Sequence, residues 1–90
     1  MEIKFDPEKR RWTLEKRGID FLDASLVFAD VHYEIEDLRW DYGERRFRVF
    51  GQLHGRRVMV VWTPRGPKRR IIMMRHGHED EFKNAKTSLD

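Results

Sequence analysis

Apolar residues change period along this chain, and the changes mark out its elements. Ile3 and Phe5 flank Lys4 in a short strand-like alternation, after which Asp6, Pro7 and Glu8 read as a helix start. Asp offers an N-cap acceptor, Pro suits the first helical position, and Glu suits the positive end of the helix dipole. The pattern predicts a helix over about Pro7 to Arg17, stopped by Gly18. Phe21, Ala24, Leu26, Val27 and Phe28 then recur at roughly helical spacing, which predicts a second helix from Ile19 or Asp20 to Ala29.

Residues 30–44 mix acidic side chains with Tyr33, Ile35, Leu38, Trp40 and Tyr42, predicting a strand that leads into a loop. Arg46, Phe47, Arg48 and Val49 alternate with the period of a half-buried strand, and His54-Gly55 marks a tight hairpin turn. Val58 to Trp62 is apolar at every position, as in a central strand covered by helices. Pro64 to Pro67 predicts another turn, Arg69 to Arg75 the next strand, and the acidic stretch after His78 a closing helix. The order is strand, helix, helix, a three- or four-stranded antiparallel meander, and a short helix. The expected fold is therefore α+β, with two N-terminal helices packed on an antiparallel sheet of three to five strands. Ninety residues can close one hydrophobic core, so one domain spanning 1–90 is expected.

Composition adds two points. Cysteine is absent, which removes disulfides and thiolate chemistry, and no apolar run resembles a signal peptide or reaches membrane-spanning length. A cytoplasmic protein without membrane contact is expected. The net charge of +3 hides a segregation: Arg45 to His78 carries ten Lys or Arg and no Asp or Glu, whereas residues 1–44 carry twelve acidic side chains against seven basic ones. A basic block on strand-like sequence points to an anionic partner, with nucleic acid the leading candidate and a solvated face the alternative.

Arginine forks match phosphate oxygens and stay charged, so this block suits a phosphodiester. Trp62, Phe47, Phe50 and Tyr42 are either stacking platforms or core. A ribonuclease that uses the substrate's own 2′-hydroxyl needs no metal and no protein nucleophile. It needs proton carriers and cations around the phosphorane. Candidate carriers are His54, His76, His78, Glu44 and the lysines, and candidate cations are Arg65, Arg70 and Arg75. His76 and His78 with Glu79 or Asp80 imitate a metal site, yet without a remote third ligand no metal and no cofactor is expected.

Several pieces, in order, resemble the BrnT toxin family: FDPEK with Lys9, LEKRGIDF with Lys16 and Gly18, DASLVF, DYGERR, the GR of LHGRR, VWTPRG, RRII and Arg75. The resemblance implies a RelE-like fold, growth inhibition through RNA cleavage, and neutralisation by a BrnA-type ribbon-helix-helix antitoxin. It also implies toxicity-linked arginines at Arg65 and Arg75. The chain departs from the family pattern at Arg17, where relatives carry histidine, at Met73, where they carry serine, and at His76-Gly77.

Taken together, Arg65 and Arg75 are expected to bind phosphate and stabilise the transition state, with His54 or His76 as proton carrier. Arg56, Arg70, Lys9 and Lys16 are expected RNA contacts. A two-toxin, two-antitoxin complex is expected, with operator DNA read only through the antitoxin. The rivals are a non-catalytic RNA-binding domain and a protein-interaction module that uses the same basic face. With the turn at 64–67, Thr63 would face Lys68 and Arg56 would face Arg75. Arg65 and Arg75 would then lie at opposite ends of a hairpin arm, roughly 23 Å apart by strand rise.

Overall fold

The computed structural model describes residues 2–89. Its elements are β1 (Ile3–Lys4), α1 (Pro7–Arg17), a 3-10 turn (Phe21–Asp23), α2 (Ala24–Ala29), β2 (Tyr33–Glu36), β3 (Phe47–Leu53), β4 (Arg56–Arg65), β5 (Lys68–His76) and α3 (Glu79–Leu89). The fold is α+β.

α1 starts as its sequence dictates. Asp6 accepts from the Glu8 amide at 2.9 Å, and Gly18 closes the helix in the left-handed region with its N–H on the Leu14 carbonyl. The expected second helix is divided. Asp20 accepts from the Leu22 amide and caps the 3-10 turn, which runs into the six-residue α2. The same carboxylate takes Nε and Nη2 of Arg10, so one aspartate both caps the turn and ties it to α1. Arg10 holds the Asp20 carboxyl below its ordinary range.

The sheet order is β1-β5-β4-β3-β2. β2 to β5 form an antiparallel meander, but β1 pairs parallel with β5 through Ile3↔Arg69 and Lys4↔Arg70. The sheet is therefore mixed, and the expectation of a purely antiparallel sheet is corrected. A two-residue strand is too short for periodicity to give its direction or partner. The last hairpin also differs from the sequence reading. Its turn is only Gly66-Pro67, so Arg65 faces Lys68, Thr63 faces Arg70 and Arg75 faces Met59. Pro64 stays inside β4 because β3 ends opposite Trp62, beyond which β4 has lost that neighbour. The His54-Gly55 turn has positive φ at both residues, 51° and 79°, the signs a two-residue hairpin prefers.

The core lies on both faces of the sheet. On one, Ile19, Phe21, Ala24 and Val27 pack against Val49, Val58, Val60, Trp62, Ile71 and Met74. On the other, Phe50, Met59 and Val61 are covered by Ala85 and Phe82 of α3. Every residue of β4 from Val58 to Thr63 is buried as a result. α3 thus crosses the second face of the sheet.

α2 approaches β3 closely at Gly51. A Cβ there would sit 2.8 Å from Val27 Cγ1 and 3.3 Å from His32 Cβ, and Val27 is a stiff, fully buried side chain. Gly51→Ala should destabilise the fold by about 1–3 kcal/mol through overpacking. Urea denaturation of both proteins measures this, and unchanged stability would show that α2 yields freely.

Candidate nucleic-acid interface

Alternation along three strands sorts the basic block by face. The register places Arg48, Arg57, Arg65, Lys68, Arg70 and Arg75 on the side shared with Phe50, Met59 and Val61. Arg69 lies on the other side, 4.0 Å from the Phe28 ring centroid and 4.9 Å from that of Trp62. Arg56 faces Leu53 and so also starts on the other side. The cationic face therefore has an apolar middle under α3 and arginines around it.

One group gathers at the Gly66-Pro67 end. Arg65 Nη1 donates to Glu44 Oε2 at 2.6 Å, and Arg46 Nη2 lies 3.5 Å from Oε1. The Thr63 hydroxyl lies 2.9 Å from Glu44 Oε2 and 2.6 Å from the Arg45 carbonyl. These donors, Arg65 foremost and Thr63 next, hold the Glu44 carboxyl down at about 2. So stable a carboxylate is a poor base, and Glu44 serves to fix Arg65. Across from Thr63, the Arg70 guanidinium has no hydrogen bond or ion pair to a described residue.

A second group lies at the far end of the arm. Arg75 grips Glu81 as a fork, with Nη1 to Oε1 at 3.0 Å and Nη2 to Oε2 at 2.6 Å. Glu81 also accepts from the His78 amide at 3.1 Å, capping α3 from its third position. Arg75 lowers the Glu81 carboxyl, and Glu81 raises the Arg75 guanidinium. Next to this fork is a polar cleft of about 410 Å³ lined by Gln52, Gly55, Arg56, Arg57, His76 and Gly77. His76 Nδ1 is buried there without a hydrogen-bond partner among the described residues.

The expected site residues thus fall into separate places. Arg65 and Arg70 are together at one end, and Arg75, His76 and Arg56 cluster at the other. Arg65 faces Lys68, seven residues before Arg75 on β5, a separation of roughly 23 Å along the strand. His54 is exposed in its turn, with Nε2 3.6 Å from Asp23 Oδ2, and does not line the cleft. Lys9 lines a groove between α1 and β5, and Lys16 is exposed on α1. Trp62 and Phe50 are core, Phe47 stacks on Trp62 at 4.9 Å, and the Tyr42 ring lies 4.2 Å from the Arg46 guanidinium. Arg48 and Arg57 were not singled out by sequence, although their alternation with apolar neighbours carried the signal. Among the described residues, no group of three or more His, Cys, Asp or Glu could hold a metal ion, and no helix is long and apolar enough to cross a membrane.

A family model described as the ribonuclease toxin, BrnT, of type II toxin–antitoxin systems matches residues 5–81. The chain belongs to the BrnT family. Comparison with curated proteins gives no significant match. The match takes in both arginine groups and ends at Glu81, in the first turn of α3. As a BrnT chain it belongs with ribonuclease toxins, whose substrate is RNA and whose system includes an antitoxin.

The Glu44 cluster has a pH signature. Its folded pKa, about 2, lies below the ordinary 4.5, so the stabilisation is full above about pH 5 and is lost as pH falls towards 2. The melting-temperature difference between wild type and Glu44→Gln should be constant near neutrality and shrink in acid. A difference independent of pH would remove the ion pair from the account.

Proposed function

We propose that the chain cleaves RNA by attack of a substrate 2′-hydroxyl on the adjacent phosphate, without a metal ion, and that its cationic sheet face holds the RNA backbone. The observation that carries this reading is the gathering of six cations on one face in a chain of the ribonuclease toxin family. Carboxylates support it further. Glu44 and Glu81 occupy Arg65 and Arg75 in contacts that a phosphate would make equally well.

In this reading Arg65 and Arg75 bind phosphates, and the arginine beside the reacting phosphate stabilises the phosphorane. Arg70, Lys68, Arg48 and Arg57 hold the flanking backbone, with Arg56 at the cleft and Lys9 and Lys16 on α1 as outlying contacts. His76 carries protons, because it lines the cleft with Arg56 and Arg57 and its Nδ1 has no partner. His54, exposed and beside Asp23, is the weaker candidate. The 2′-oxygen forms a bond to phosphorus as the 5′-oxygen leaves. The proton lost by the first is made good on the second, and the product is a 2′,3′-cyclic phosphate. The partner in this reading is a BrnA-type ribbon-helix-helix antitoxin in a two-to-two complex, and only the antitoxin reads operator DNA. The cytoplasm is where toxin and RNA would meet.

Expressed without an antitoxin, the chain should arrest bacterial growth, and Arg65→Ala or Arg75→Ala should relieve the arrest while circular dichroism stays unchanged. Purified protein should cut RNA in EDTA and leave a cyclic or 3′-phosphate end. RNA binding without turnover would favour a non-catalytic RNA-binding domain, and full toxicity of both folded variants would overturn the site.

Glu81 should compete with RNA for Arg75. Glu81→Gln keeps a capping oxygen but drops the charge, so RNA affinity should rise severalfold in a fluorescence-polarisation titration. Equal affinity would mean that Arg75 does not meet phosphate.

A further inference from the structure

α1 buries only Thr13 among its eleven residues, and Trp12 keeps 51% of its surface exposed. The indole stands over a groove of about 260 Å³ between α1 and β5, lined by Lys9, Trp12, Thr13, Arg17, Ile72 and Met73 among others. The groove has an apolar floor and two cations, and among the described residues no carboxylate lines it.

Two features of β5 build this groove. β1 covers the outer edge of β5 only at Arg69 and Arg70, so among the described residues no strand pairs with that edge from Ile71 onward. Arg17 takes advantage of the open edge: its Nη1 donates to the Met74 carbonyl at 3.0 Å, while its guanidinium carbon lies 5.1 Å from the Trp12 ring centroid. A long side chain is thereby fixed under an exposed ring. The second feature is the irregularity at Val61/Trp62, where Met73 faces Val61 and Ile71 faces Trp62, leaving Ile72 as the extra residue. Such bulges redirect side chains beside functional sites, and here Ile72 and Met73 both reach the groove floor. Arg70 and Arg75 flank these two residues on β5, so the groove carries the cationic face around the edge of the sheet.

A flat ring joined to an anion fits this chemistry. We propose that the groove is a nucleotide subsite, in which one base of single-stranded RNA stacks on Trp12 and the attached phosphate meets Lys9 and Arg17. Base stacking on aromatic side chains beside cationic backbone contacts is how single strands are held without sequence readout. An apolar peptide would leave Lys9 and Arg17 without counter-charge, which favours the nucleotide. The proposal rests on the ribonuclease reading above and extends its RNA path to α1.

The test uses a non-cleavable 2′-O-methyl oligonucleotide, with binding followed by fluorescence polarisation. Trp12→Ala, a sound helix residue at an exposed site, should fold normally and bind about tenfold more weakly, within the range for losing one stacked base. Trp12→Phe should retain most of the affinity. One abasic nucleotide, moved along the oligonucleotide, should weaken the wild type at a single position and add nothing at that position in Trp12→Ala. A general structural defect would not produce that cancellation. Wild-type protein that binds and cuts RNA, with Trp12→Ala equal to it, overturns the subsite alone. Wild-type protein without RNA affinity overturns both readings. Unaltered RNA binding with weakened antitoxin binding in Trp12→Ala makes the groove a protein contact and also overturns the proposal.

Discussion

A strand that is apolar on both sides must be covered on both sides, and β4 imposes this on the whole molecule. Val58, Val60 and Trp62 turn to the layer built from Ile19, Phe21, Ala24 and Val27. Met59 and Val61 turn the other way and need a second cover, which α3 provides through Phe82 and Ala85. That cover lies on the face where alternation also puts Arg48, Arg57 and Arg75. Burial of the core and display of the cations therefore compete for one surface. The compromise is a helix whose first turn is acidic, so that Glu81 answers Arg75 where α3 enters.

Neither arginine group is held so firmly that it could not change partners. Arg65 and Arg75 remain about 42% and 32% exposed in their ion pairs, and partly hydrated pairs contribute little net stability. An RNA phosphodiester offers a pair of acceptor oxygens with the same single charge, so exchange of carboxylate for phosphate is close to balanced. The carboxylates also keep both arginine side chains oriented, Arg65 through one nitrogen and Arg75 through two, which lowers the ordering entropy lost on binding an anion.

Local chemistry was legible in the sequence. Asp6, Pro7 and Gly18 bracket α1 as read, the His54-Gly55 turn is in place, and the uninterrupted apolar run of β4 announced its central position. The α+β class and the family were legible too, the latter from ordered pieces spread along the chain. Long-range pairing was not. The parallel partner of β1 depends on two residues meeting a strand more than sixty positions away. The last hairpin was misread because Pro64 looks like a turn residue until one knows that β3 stops short of it. At the candidate site, Arg65, Arg70 and Arg75 were named from residue type and resemblance. The carboxylates that hold Arg65 and Arg75, Glu44 and Glu81, come from distant loops and a helix cap, which no local pattern reveals.

The β4–β5 arm is also a ruler. Its two cationic ends are separated by a paired, doubly covered stretch of backbone whose length is fixed by the hydrogen-bond register. Flexible loops would let a binding surface adapt to any fragment, whereas this arm cannot shorten. In the RNA reading, a fragment of one or two nucleotides engages one end and leaves the other to its own carboxylate. In that reading only a strand long enough to span the arm would displace both, so the fixed register would favour longer strands over short fragments.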